Sequence, residues 1–195
     1  MNTALKEWAI AVEALVQGEM ILLLRKGGIR EQAGGFTLVQ PRFWLYPTFE
    51  HQKPHLLKTT YADRVQSVAS GWHPEMVEIQ AWVEVTHAYQ VSEAAAIEAL
   101  LPFHIWTETF VTDRLKWQPR SPVSLLLLRV YQLEQPVQIP YSAEYGGCKS
   151  WIELPDLDAN AARPVFAEAD YQRQVEQIQA ALEQTIPLTA SHPTA

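Results

Sequence analysis

Residues 76–85 alternate strictly. Val77, Ile79, Ala81, Val83 and Val85 fall on one side of an extended chain, and Glu78, Gln80, Trp82 and Glu84 on the other. A period of two sustained over this length specifies a strand with one face buried. Such a strand requires neighbours to complete its ladder and a second layer to cover its apolar face. The strongest local pattern in the chain therefore demands a sheet with something packed on it.

The remaining segments supply both. Val123–Tyr131 reads as a buried strand, and Lys149–Leu154 as a short one ending at Pro155. Trp8–Val16 and Met20–Lys26, on either side of Gln17-Gly18-Glu19, read as a β-hairpin. A helix over Leu5–Leu15 is the alternative, since Ala, Leu, Lys and Glu favour it. Phe36–Gln40 and Arg42–Tyr46 read as strands broken at Pro41, with Pro47 closing that section. Helices are expected over His55–Ala69, stopped at Gly71; over Glu93–Leu101, capped by Ser92 and closed by Pro102; and over Thr107–Lys116, with Phe110, Val111, Arg114 and Leu115 along one side. The last helix, Glu168–Gln184, carries Tyr171, Val175, Ile178, Ala181 and Leu182 as one stripe. The expected fold is α+β: a mixed or mainly antiparallel sheet with packed helices, forming a single domain over residues 1–186. An amphipathic C-terminal helix and a disordered tail at 187–195 complete it.

Composition narrows the function classes. Of 195 residues, 48% are hydrophobic and 19% charged, which excludes a disordered chain. The longest aliphatic runs, Met20–Leu24 and Leu125–Leu128, fall far short of the ~20 residues of a membrane span. Glu7 and Glu13 interrupt the N-terminal region, so it does not read as a secretory signal. The single cysteine, Cys148, fits a reducing compartment. A cytoplasmic protein without a membrane partner is expected.

The net charge of −7 is unevenly spread. Residues 1–70 carry +2 and residues 71–195 carry −9. Within Met20–Gln66, seven basic residues face three acidic ones. A local anion site is compatible with an acidic protein, because nearby charges set the field at a surface. The ligand-binding candidates are Arg25, Lys26, Gly27, Gly28, Arg30, Tyr46, His51, Gln52 and Arg64. Arginine offers a planar fork to phosphate, lysine a point charge, and glycine amides a close approach. Trp44 or Tyr46 would stack on a base. This reading requires Arg25, Lys26, Arg30, His51 and Arg64 to converge on one concave surface.

Three alternatives stand beside this reading. A metal-dependent phosphoester hydrolase would use Asp63 with Glu78 and Gln80, in the Asp then Glu-x-Gln order of restriction-type nucleases, and would need magnesium or manganese. Against it, alternation alone places polar residues at 78 and 80. His51 and His55 have ligand spacing, but Pro54 between them breaks the shared helix face, so no metal site is expected. Cys148 after Gly146-Gly147, with His87 or His104 as base, is a thiolate candidate set against an ordinary small hydrophobe. A protein partner docking on residues 168–184 is the third alternative.

Two resemblances bear on these readings. Residues 8–48, with Leu22-Leu23-Leu24-Arg25-Lys26 and then Phe43-Trp44-Leu45-Tyr46-Pro47, loosely resemble the opening of the Nudix fold. That family's Glu-rich catalytic box is missing, since the following segment carries only Asp63 and Arg64. A fuller resemblance, over about residues 4–155, is to an uncharacterised family, domain of unknown function 1802. It rests on Ala4-Leu5-Lys6-Glu7-Trp8, Leu24-Arg25-Lys26-Gly27-Gly28-Ile29, Tyr46-Pro47-Thr48 with His51-Gln52, His104-x-Trp106 and Trp117-x-Pro119. It implies an occasional link to restriction of foreign DNA and assigns no activity. The expected role is non-catalytic recognition of a small anionic ligand, nucleotide or nucleic acid, with no cofactor.

Overall fold

A computed structural model describes residues 1–26, 36–116 and 121–185. In chain order its elements are β1 (Thr3–Trp8), α1 (Ala9–Val16), β2 (Leu22–Arg25), β3 (Arg42–Thr48), α2 (Thr59–Ala62), β4 (Met76–Val91) and α3 (Ala94–Ala99). There follow α4 (Glu108–Lys116), β5 (Val123–Pro140), β6 (Trp151–Glu153), β7 (Ala162–Pro164) and α5 (Glu168–Glu183). The alternating segment is the first part of β4, which pairs antiparallel along the length of β5. Register shifts between Ile79 and Ala81 and between Val85 and His87 bend this long pair.

The strands form one mixed sheet in the order β2-β5-β4-β3-β1-β6, and β7 pairs with β5 on the edge that β2 leaves free. The β1–β3 pair is parallel and the other described pairs are antiparallel. The α+β architecture and mainly antiparallel sheet expected from the sequence are thus present.

The sheet is strongly curled. β2 and β1 are four strand spacings apart along the order, a span of roughly 19 Å in a flat sheet. Yet Arg25 at the end of β2 reaches Glu7 of β1, with Nη1 donating to Oε2 at 2.7 Å, and Ser150 just before β6, with Nη2 donating to Oγ at 2.9 Å. Only a sheet rolled towards closure brings these groups together. Trp151 of β6 spans the same seam, stacking on Phe36 and donating from Nε1 to the Thr37 carbonyl.

Apolar residues cover both faces. The larger cluster joins α1, α3, α4 and α5 to β2, β4 and β5, through residues such as Leu15, Leu23, Val83, Ile97, Phe110, Leu127 and Ile178. The smaller one gathers Ala4, Trp44, Val77, Ile79, Ile139 and Ile152. In α5, Tyr171, Val175, Ile178 and Leu182 are buried, leaving glutamines and glutamates outward.

Several expectations are corrected. Trp8–Val16 is not a hairpin arm: β1 ends at Trp8 and α1 follows at once, with Ile10, Ala11, Val12, Ala14, Leu15 and Val16 all buried. A helix buried nearly all round lacks an amphipathic period, so its composition mimics a buried strand. Gly18 makes the turn at φ +71°. Phe36–Gln40 is not a strand, whereas β3 runs through Pro47, which pairs in register with Glu7. The helix expected over His55–Ala69 is reduced to a 3-10 turn at Pro54–Leu56 and the single turn of α2. Between them Leu57 is extended and bridges to Trp106, a tertiary contact that overrides the local period. Ser92 makes no side-chain cap on α3, whose N-cap is Glu93. β4 and β5 extend well past the expected ends, and β7 had no signal in its three residues. The expected tail at 187–195 lies outside the described residues.

The bridge to Trp106 seats a buried histidine. His104 is 3% exposed, and its Nδ1 accepts the Trp106 amide at 3.3 Å, which puts the neutral ring's proton on Nε2. Lys58 Nζ donates to the carbonyls of Leu101 and His104. Burial, reinforced by the Lys58 charge, pushes the His104 pKa down to about 4. Between that value and the unfolded value near 6.5, only the unfolded chain takes up the proton. Stability from this site is therefore full above about pH 6.5 and falls as the pH drops towards 4, by up to about 3 kcal/mol. Urea midpoints from pH 7.5 to 4.5 should show this slope, and His104→Gln should flatten it.

Candidate anion-binding site

β1 and β3 run parallel, so their C-terminal ends open on the same edge of the sheet. A cleft of about 410 Å³ lies there. Lys6, Glu7 and Trp8 of β1, Tyr46, Pro47 and Thr48 of β3, and the following Phe49, Glu50 and His51 form one wall. Residues 71–74 with Tyr141 form another, and residues 145–149 a third. Arg25 and Arg114 complete the lining. Crevices at the carboxyl ends of parallel strands are common ligand sites because the chain must leave the sheet there in separate directions.

The floor is an ion pair. Arg25 and Glu7 side chains are 11% and 7% exposed, and the other Glu7 oxygen accepts the Trp8 amide at 2.8 Å. Arg25 also lies over the Phe36 ring. Beside the pair, Lys6 Nζ donates to the carbonyls of Tyr145 and Gly147 at 2.6 and 2.8 Å, and burial lowers its pKa. Lys149 Nζ donates to the Glu144 carbonyl.

The aromatic walls are braced against one another. His73 stacks on Tyr141 with ring centroids 3.4 Å apart, and Tyr145 packs edge-on against Tyr46 and Tyr141. Tyr46 is buried, and desolvation raises its phenol pKa. The Glu50 carboxylate accepts the Gly71 amide at 2.7 Å and the Ser70 hydroxyl at 3.1 Å, which holds its pKa below the usual range. These bonds tie residues 70–74 to the turn at 49–51, where His51 takes the left-handed conformation at φ +65°. Trp72 rests edge-on against Phe49 and is 45% exposed at the mouth.

Arg114 is an arginine of the lining that makes no ion pair among the described residues; the nearby Glu7 charge acts on it without contact. It projects from α4, half-buried, with its guanidinium over the Phe110 ring. Among the described residues no carboxylate pairs with it and no acceptor receives its N–H groups. Burial, and then the charge of Arg25, lowers its pKa to about 10, so it remains charged at neutral pH.

The convergence expected of Arg25, Lys26, Arg30, His51 and Arg64 is not met, and the expected ligand residues separate into distinct groups. Arg25, Tyr46 and His51 line the cleft. Lys26 faces away from it: its ammonium donates to the carbonyls of Arg114 and Leu115, capping the last turn of α4. Gln52 accepts the Ile10 amide at the start of α1. Arg64 lies elsewhere, paired with Glu13 and Glu19 and stacked on Tyr61. Gly27, Gly28 and Arg30 lie outside the described residues, as do Trp117 and Pro119. Sequence reasoning omitted Lys6, Arg114, Lys149 and the Trp72, Tyr141 and Tyr145 walls. An arginine on the apolar side of a helix was the legible sign of Arg114.

The hydrolase candidates are not gathered in the cleft. Asp63 ends α2. On β4, Glu78 accepts from Gln80 and from Gln138 across the ladder. Among the described residues, no group of three His, Cys, Asp or Glu side chains is placed to hold a metal. Cys148 is exposed at the cleft, whose lining contains neither His87 nor His104. No helix among the described residues is long and apolar enough to cross a membrane.

The model of a domain of unknown function (DUF1802) matches residues 4–177, and the chain belongs to that family. No curated protein matches it. Among solved structures, an ASCH protein from Zymomonas mobilis is similar at 10% identity with a TM-score of 0.44, over 97% of this chain and 96% of that one. A mutant of the same protein gives 12% identity and a TM-score of 0.43, over 89% and 94%. Similarity this loose transfers no property of that protein to the cleft.

The ion pair on the floor yields a direct test. Glu7→Gln leaves Arg25 buried without its counter-charge and should cost about 3 kcal/mol in urea unfolding. The double variant Glu7→Gln/Arg25→Met removes both charges and should recover a large part of that loss.

Proposed function

We propose that this DUF1802 chain recognises a small anionic ligand, a nucleotide or a short single-stranded nucleic acid, in the cleft at the ends of β1 and β3, without catalysing its conversion. The observation that carries the reading is Arg114. A partly desolvated guanidinium with no carboxylate in ion-pair contact is costly, and an incoming phosphate offsets that cost through charge-assisted bonds. Arg25 is already matched by Glu7 and serves to shape the floor.

The walls suit the rest of a nucleotide. Exposed Trp72 and the His73–Tyr141 stack offer flat surfaces for a base, whose stacking is tolerant of base identity. The volume is at the lower end of small-ligand pockets. A duplex would extend beyond the cleft over a chain carrying −7 overall, where screened repulsion opposes it.

Isothermal titration calorimetry with the four nucleoside 5′-monophosphates and a trinucleotide tests this reading. At least one should bind, and Arg114→Met should weaken it by about tenfold to a hundredfold, the value of a lost charge-assisted bond. Arg64→Met, which alters a surface pair outside the cleft, should leave affinity unchanged. Absence of binding by every probe contradicts the proposal.

A further inference from the structure

We propose that the cleft selects a terminal phosphomonoester over an internal phosphodiester, so that its ligand is a nucleoside monophosphate or the phosphorylated end of a single strand. This inference rests on the nucleotide reading above and concerns the chemistry of the phosphate.

The charge balance of the lining leads to it. Lys6, Arg25, Arg114 and Lys149 stand against Glu7 and Glu50, which leaves a formal excess of +2. A phosphomonoester carries about −1.5 to −2 at neutral pH, whereas a phosphodiester carries about −1. Only the monoester balances the excess. The carboxylates are also occupied within the protein: Glu7 holds Arg25 and the Trp8 amide, and Glu50 holds Gly71 and Ser70. The volume adds a steric argument, since about 410 Å³ holds one nucleotide-sized ligand and a strand would present its end.

The anchor is held from behind. Lys26 binds the carbonyls of Arg114 and Leu115, so the buried ammonium fixes the end of α4 from which Arg114 projects. Lys26 is therefore a positioning residue for the phosphate site and does not touch the ligand.

The experiment compares adenosine 5′-monophosphate with the dinucleoside monophosphate ApA on the full chain at pH 7.5 and 5.5. The expected preference for the monoester is about tenfold or more at pH 7.5. It should narrow at pH 5.5, because the second phosphate ionisation lies near 6 and only the monoester has one. His51 and His73 also line the cleft and face either ligand. Equal binding of the two, or a preference that does not narrow, overturns this inference and leaves the nucleotide reading standing. No binding of either overturns both. A 5′-phosphorylated trinucleotide beside its unphosphorylated form separates the sources: binding equal to the mononucleotide indicates a strand end, and weaker binding a free nucleotide. Lys26→Met should lower monoester affinity and be rescued in part by Lys26→Arg, whereas a binding loss that merely tracks stability would contradict the positioning role.

Discussion

The contact between Arg25 and Glu7 sets the geometry of everything around it. Those residues sit on strands four places apart in the sheet, and their 2.7 Å bond exists only because the long, bulged β4–β5 pair rolls the sheet round until β2 faces β1 and β6. The pair is buried, so its attraction is weakly screened. Its desolvation is offset by further bonds to the Trp8 amide and Ser150. The same contact closes the seam of the sheet and forms the floor of the cleft.

From that floor the roles of the cations follow. Arg25 is neutralised in place, Lys6 and Lys149 are held by carbonyl oxygens, and Lys26 is turned to the opposite side to cap α4. Consecutive residues at the end of one strand thus serve two layers: Arg25 clasps the sheet, and Lys26 fixes the helix that delivers Arg114. Arg114 then stands in a half-buried position with an aromatic ring beneath it and no ion-pair partner among the described residues. An aromatic rim, an ion-paired floor and one guanidinium without an ion-pair partner among the described residues are the features on which the proposed recognition of a flat, anionic molecule rests.

How far this was legible in the sequence depended on whether the signal was local. Alternation in 76–85 and the stripe in 168–184 are set by a strand or helix with one face buried, and both appear as expected, with β4 longer. Residues 9–16 misled because α1 is buried nearly all round, which erases the helical period. Residues 55–69 misled because the Leu57–Trp106 bridge outweighs local spacing. For the site, Arg25, Tyr46 and His51 were recognisable from residue type beside turns. Lys26, Gln52 and Arg64 have the same chemistry but spend it on helix ends and surface carboxylates, which depends on tertiary neighbours. Arg114 arrives from a distant segment, and nothing in residues 20–66 could announce it.

The most direct measurement is an NMR titration of the arginine side-chain Nε–Hε resonances with adenosine 5′-monophosphate. Binding in the cleft should produce a saturable shift centred on Arg114, a smaller one at Arg25, and none at Arg64 or Arg163, which are paired outside the cleft. A titration that moves the surface arginines and leaves Arg114 unchanged would contradict it.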